Sequence, residues 1–75
     1  MTLGHIDIGR EAEIVSLEVN ETMKKRLLDL GLIPGTKVKA ILSSGKKEFV
    51  AYIVRRTIIA IRKEDANKIK VRALI

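Results

Sequence analysis

Residues 25–36 read Lys25-Arg26-Leu27-Leu28-Asp29-Leu30-Gly31-Leu32-Ile33-Pro34-Gly35-Thr36. The first half predicts the last turns of a helix, because Leu27 and Leu30 recur at helical spacing. Gly31 predicts the end of that helix, since glycine takes a left-handed conformation without a Cβ penalty. Pro34 and Gly35 fit the two central positions of a type II turn, where glycine supplies the positive φ angle. We therefore expect a helix, a sharp stop and a turn into a strand.

Hydrophobic patterning outside this stretch predicts further strands. Asn20 is the expected N-cap of the helix, whose buried stripe joins Met23 to Leu27 and Leu30. The predicted strands cover residues 11–17, 36–42, 48–54, 57–62 and 69–74, the helix covers 21–30, and a short helical turn lies near 63–68. Residues 43–47 are expected in a loop and 55–56 at a hairpin tip. The pattern predicts a mainly β fold, a small five-stranded barrel with one inserted α-helix.

Alternation within the strands predicts which side chains enter the core. In the second strand, Val38, Ala40 and Leu42 are expected to point the same way, while Val15 and Leu17 blur the alternation of the first strand. The isoleucine-rich fourth strand has little polar face, so we expect it at the centre of the sheet. The N-terminal arm is expected to tuck three apolar side chains under the domain: Leu3, Ile6 and Ile8.

Length and composition exclude several classes of protein. The chain has 75 residues, enough for one small domain with a core but little room for an enclosed active site. It has no cysteine, which excludes disulfides, thiolate metal sites and a cysteine nucleophile. The longest apolar run, residues 49–54, is far below the roughly 18 residues that a membrane span requires. We therefore expect a soluble, cytoplasmic protein.

Motifs for catalysis and ligand binding are sparse. The single histidine, His5, and the nearby Asp7 are the candidates for a weak metal contact, but a solvated terminal arm is the favoured interpretation of both. The glycines are scattered and form no phosphate-binding loop. We expect no catalytic residue, no cofactor, no metal site, no GTP hydrolysis and no tight binding of Fe²⁺ by the chain alone.

The charge balance leaves nucleic acid open as an alternative partner. The net charge is +6, from 15 lysines and arginines against 9 acids, and it attracts polyanions or an acidic protein face. The candidate phosphate contacts are Lys24, Lys25, Arg26, Lys37, Lys39, Lys46, Lys47, Arg55, Arg56, Arg62, Lys63, Lys68, Lys70 and Arg72. They are spread along the whole chain, and the two aromatics, Phe49 and Tyr52, form no stacking platform. Nucleic acid is therefore the disfavoured partner.

The end of the predicted helix is the best candidate for binding a protein. Leu28, Leu32 and Ile33 fall outside the helical stripe, and Arg26 lies beside them. An exposed aliphatic cluster with an arginine at its edge is typical of a protein interface. The alternative is that this loop folds over the barrel mouth and caps the core. The predicted sites are thus partner-binding Arg26, Leu28, Leu32 and Ile33, and structural turn residues Gly31, Pro34 and Gly35.

The sequence resembles the FeoA family, the small cytoplasmic partner in bacterial ferrous iron uptake. Three stretches carry the similarity: RLLDLGLIPGT at residues 26–36, IAIRKEDA at residues 59–66 and LGHIDIGREA at residues 3–12. They follow the order of the family and cover nearly all of the chain. The first is fairly specific, and the other two are weak when taken singly.

This resemblance implies an SH3-like barrel with an inserted helix, as one FeoA-like domain over residues 1–75, without catalytic residues or a cofactor. It implies as partner the cytoplasmic GTP-binding part of the membrane iron transporter FeoB. The same module occurs in iron-dependent repressors, so a metal-responsive domain is a third possibility. We expect an accessory protein that binds and modulates FeoB, with a small basic nucleic-acid-binding barrel as the alternative.

Overall fold

A computed structural model describes residues 1–46 and 48–74, so Lys47, predicted in a loop and among the basic contacts, lies outside the described residues. A 3-10 turn, Leu3–His5, precedes the first strand. The other elements are β1 (Glu11–Leu17), α1 (Glu21–Asp29), β2 (Lys37–Ser43), β3 (Phe49–Val54), β4 (Thr57–Arg62), α2 (Lys63–Ala66) and β5 (Ile69–Leu74). The predicted strands, helix and helical turn are confirmed, with boundaries that differ by one or two residues.

The five strands form one antiparallel sheet in the order β4-β3-β2-β1-β5, so that β1 joins the meander β2-β3-β4 to the last strand. This is the SH3-like barrel of the prediction, with α1 inserted between β1 and β2. The position predicted for β4 is wrong, because this strand lies at the edge of the sheet and pairs only with β3. Its isoleucines are divided between two faces: Ile59 and Ile61 are buried, whereas Ile58 is 66% exposed.

Two β-bulges decide which strand residues enter the core. In β1 the register shifts between Ile14 and Ser16, which leaves Val15 exposed and returns Leu17 to the buried face. A second shift in β2, after Ala40, turns Leu42 outward, so the prediction that it points into the core is wrong. An extra residue in a strand reverses the alternation beyond it, and the bulges therefore explain both irregular patterns.

The core is aliphatic except for Tyr52. Its largest fully buried side chains are Tyr52, Leu3, Ile14, Leu32, Ile69, Val38 and Val54. The hydroxyl of Tyr52 donates to the carbonyl oxygen of Leu3 at 3.3 Å, which ties the N-terminal arm to β3. Ile6 packs partly against the core, but Ile8 is exposed and does not tuck under the domain as predicted.

Local hydrogen bonds fix both ends of α1. The side chain of Asn20 accepts from the amide of Met23 at 2.8 Å, which confirms the predicted N-cap. At the other end Gly31 has φ of 101°, and its amide donates to the carbonyl of Leu28, while that of Leu32 donates to the carbonyl of Leu27. This pair of bonds defines a Schellman motif, the glycine stop that the sequence predicts.

The turn after the helix is pinned to the first strand. Gly35 has φ of 95°, and the amide of Thr36 donates to the carbonyl of Ile33 at 2.9 Å, as a type II turn over Pro34 and Gly35 requires. The amide of Gly35 also donates to the carbonyl of Ile14 at 2.7 Å. The turn therefore sets where β2 begins beside β1.

Replacing Gly35 by valine is expected to lower the free energy of unfolding by about 1–3 kcal/mol, because valine is strained at positive φ. A Cβ at this position meets no atom within 4 Å, so the loss comes from the backbone and not from a clash. Urea denaturation measures the change. Gly35→Asn is the control, since asparagine tolerates this conformation, and a valine variant as stable as the parent would contradict the turn assignment.

Candidate partner-binding surface

The four residues predicted to bind a partner do not share one surface. Arg26 is exposed and Ile33 is 39% exposed, but Leu28 is half-buried and packs against the core. Leu32 is 0% exposed and belongs to the core itself. The structure thus splits the predicted set, and for Leu32 it favours the alternative, in which the loop caps the core.

The burial of Leu32 follows from the way the helix ends. In a Schellman motif the second residue past the cap commonly packs its side chain back against the last turn of the helix. Leu32 occupies this position. Its amide donates to the carbonyl of Leu27, a residue that is also buried. The glycine stop therefore turns Leu32 inward and leaves the next residue, Ile33, at the surface.

One exposed apolar side chain was missed by the sequence reasoning. Leu30 was predicted to lie on the buried stripe with Met23 and Leu27. It is the C-cap residue of α1, and its side chain is 41% exposed. Arg26, Ile33 and Pro34 are also exposed at or just after the end of α1, and we call these residues, with Leu30, the helix-end surface. Its composition, two aliphatic side chains, a proline and an arginine, is typical of a small protein contact.

A groove runs from the helix-end surface along the barrel, with a volume of ≈ 490 Å³. Its helix wall consists of Met23, Arg26, Leu27 and Leu30, and its strand wall includes Phe49, Ile59, Ala60 and Ile61. The strand wall belongs to the edge region of the sheet, where β4 has no partner on its outer side among the described residues. Arg26 and Leu30 therefore face both solvent and this groove.

The other flank of the helix-end surface is basic. Ile33 and Pro34 line an open depression together with Lys37 and Arg55. Arg55 belongs to the hairpin between β3 and β4, and a Cβ built on Gly31 would lie 3.8 Å from its Cδ atom. The hairpin thus lies next to the helix end. This contact joins segments far apart in sequence, so the sequence pattern did not predict it.

The N-terminal arm offers little for a metal ion. The Nδ1 atom of His5 lies 2.6 Å from the hydroxyl of Thr2, and His5 and Asp7 are both exposed. Across residues 1–46 and 48–74 there is no cluster of three or more histidine, cysteine or acidic side chains placed to hold a metal. The structure therefore assembles no recognisable metal site from the described residues.

The two aromatic side chains have different environments. Phe49 is 41% exposed, and the Arg62 guanidinium carbon lies 5.8 Å from the centre of its ring, a cation–π contact. Tyr52 is buried, and burial raises the pKa of Tyr52 to about 12. The surface thus presents one aromatic ring, already covered on one side by an arginine, as a stacking position for a base.

Of the helices in the described part of the chain, none has the length and apolar character to cross a membrane. The longest, α1, has 9 residues and carries charged side chains on its exposed face.

Comparison with known proteins identifies the family. Residues 1–73 match the family model described as FeoA domain. A Campylobacter jejuni protein named Fe(2+) transport protein A is 32% identical over 71 residues, which cover 95% of this chain and 96% of the relative. A Porphyromonas gingivalis protein, an Fe(2+) transport protein A/Fe(2+) transporter FeoB fusion, is 30% identical over 71 residues. That match covers 95% of this chain but spans only 8% of the length of the fusion protein.

The fold comparison agrees with the sequence comparison. The solution structure of the FeoA protein from Chlorobium tepidum superposes with a TM-score of 0.96 at 27% identity, covering 100% of this chain and 71% of the other. The match includes the helix between β1 and β2 as well as the five strands, since it covers the whole chain. The family model spans residues 1–73, and the Campylobacter jejuni relative is 32% identical over nearly the full length of both chains. This chain therefore belongs to the FeoA domain family.

Proposed function

We propose that this protein is a small cytoplasmic accessory protein of bacterial ferrous iron uptake, which binds and modulates the cytoplasmic GTP-binding part of the transporter FeoB. The observation that carries the proposal is the Porphyromonas gingivalis relative, in which an FeoA-like segment and FeoB belong to one chain. Covalent linkage keeps two modules at a high effective concentration, which favours their contact. We infer that the FeoA-like domain carries a surface that contacts FeoB.

The proposed role is non-enzymatic. Among the described residues, the titratable group with a clearly shifted pKa is Tyr52, which lies inside the core. A raised pKa on a buried tyrosine with a carbonyl partner is explained by its burial and requires no catalytic role. Modulation of FeoB would then act through binding alone.

The helix-end surface is the proposed contact. Its apolar centre is formed by Leu30 and Ile33, and Arg26 stands at the edge toward the groove. Leu28 and Leu32, predicted for the same contact, pack against the core and within it, respectively. Interfaces concentrate their binding energy in a few such anchors, and the rim around them contributes less.

The nucleic-acid alternative receives less support. Sequence-tolerant binding of single strands uses several aromatic rings as stacking positions, and here Tyr52 is buried while Phe49 is in contact with Arg62. The basic residues also extend over strands, loops and helix without a second exposed ring.

Ile33→Glu is expected to weaken binding to the purified FeoB cytoplasmic domain by at least about tenfold, because it puts a charge at the apolar centre of the contact. Isothermal titration calorimetry measures the affinity. Leu42→Glu is the matched control: Leu42 is 58% exposed on the outward side of β2, so this variant carries the same charge away from the helix end and should bind normally.

Three outcomes separate the parts of this proposal. If the parent protein does not bind the FeoB domain, the proposed function is wrong. If it binds and both glutamate variants bind equally well, the function stands and the contact lies elsewhere. If Arg26→Ala binds normally but changes GTP hydrolysis by the FeoB domain, Arg26 has a role beyond docking.

A further inference from the structure

The hairpin between β3 and β4 has an unusual tip. Val54 pairs with Thr57, so only Arg55 and Arg56 form the loop, and both have positive φ, at 48° and 68°. A two-residue loop with this geometry is a type I′ turn, which favours asparagine and glycine. Two consecutive arginines are strained in this conformation, and strained backbone of this kind clusters at ligand-binding positions.

The Arg55 side chain lies close to the end of α1. The Arg55 side chain passes beside Gly31 at the C-terminal end of α1, where the helix dipole favours a positive charge. The ion pairs found among the described residues, Arg62 with Glu64 and Arg72 with Glu13, include neither hairpin arginine. Neither hairpin arginine is therefore neutralised by one of these ion pairs.

Charge and apolar surface meet beside the hairpin. The depression next to Arg55 is also lined by Lys37, Ile33 and Pro34, and no acidic side chain contributes to its lining. An anionic group placed there would meet the cationic side chains of Lys37 and Arg55, and Arg56 follows Arg55 in the hairpin loop. The apolar side chains lie on the same side and belong to the helix-end surface.

We propose that the Arg55-Arg56 hairpin, with Lys37, binds an acidic segment of a protein partner. The inference rests on the proposed function and adds to it the chemistry of the partner: carboxylates beside the aliphatic contact of the helix end. Guanidinium groups bind carboxylates through paired hydrogen bonds, which gives orientation as well as attraction. An anionic membrane surface fits less well, since polybasic lipid-binding segments gather about 4–8 basic residues, whereas this depression has two, with Arg56 adjacent to Arg55 in the hairpin.

The test replaces both hairpin arginines by asparagine, which removes two charges and still tolerates positive φ. The double variant Lys46→Asn with Lys68→Asn is the matched control. It removes the same charge from two exposed loop positions, and residue 46 lies in the loop at the opposite end of β3. Thermal unfolding should show the hairpin variant at least as stable as the parent.

Two measurements are compared. In NMR titration of the labelled protein with a glutamate-rich peptide, we expect amide shifts concentrated at residues 33–37 and 54–57, which disappear in the hairpin variant and persist in the control. In calorimetry with the FeoB cytoplasmic domain, we expect the hairpin variant to lose at least about tenfold in affinity, and the remaining binding to depend less on salt.

The outcomes discriminate between the proposals. Shifts that are absent, scattered over the surface, or lost equally in the control would overturn the hairpin site. Binding to vesicles containing phosphatidylserine that depends on the hairpin, without peptide shifts, would assign the surface to lipid instead. Peptide shifts at the hairpin together with no binding of the FeoB domain by the parent protein would support the binding of an acidic segment by the hairpin and overturn the proposed function.

Discussion

Replacing Leu32 by glutamate is expected to unfold the protein at room temperature. Leu32 is 0% exposed, and truncating a buried leucine to alanine already costs about 2–5 kcal/mol. Glutamate adds the desolvation of a carboxyl group that has no partner in an aliphatic core. A small domain has a total stability of about 5–15 kcal/mol, so the combined loss removes most or all of it.

Circular dichroism and NMR dispersion of the variant measure this effect, with Leu32→Ala as the milder substitution. The control is Ile33→Glu, one residue further along, which should fold because Ile33 is 39% exposed. A folded Leu32→Glu protein with parental stability would show that the Schellman packing is misassigned. Loss of partner binding by Leu32→Glu alone carries no information about the interface.

Stability is expected to fall steeply above pH 10 because of Tyr52. Burial raises the pKa of Tyr52 from 10.0 to about 12, so the folded state keeps the phenol proton in a range where the unfolded chain releases it. The folded state then binds more protons than the unfolded state, and the free energy of unfolding decreases as pH rises. The contribution is complete below pH 10 and is lost between pH 10 and 12, by about 3 kcal/mol at 1.36 kcal/mol per pH unit.

Tyr52→Phe isolates this contribution from the titration of the lysines. Its cost at neutral pH should be only about 0.5–1.5 kcal/mol, since the carbonyl of Leu3 still accepts from the amide of Ile6. Urea denaturation at several pH values between 7 and 12 compares the two proteins. Parallel curves for parent and variant would contradict the buried, raised pKa of Tyr52.

Local signals explain what sequence reasoning predicted correctly. Asn20, Gly31 and the Pro34-Gly35 pair act through φ preferences and hydrogen bonds to residues nearby in sequence. Their effect can therefore be predicted without the rest of the chain. The strands followed from runs of apolar and β-branched residues. The same reasoning located the candidate surface at the helix end but assigned Leu32 to it, although the Schellman position carries the signal that this side chain turns inward.

By itself, the sequence determined the order of strands and helix, the glycine stop, the turn into β2 and the aliphatic character of the core. Those features depend on neighbours along the chain. Only the tertiary structure decided that β4 lies at an edge, that Leu42 turns outward after a bulge, and that Arg55 lies beside Gly31. Burial and charge proximity are set by contacts between segments far apart in sequence, and strand pairing in the barrel creates those contacts.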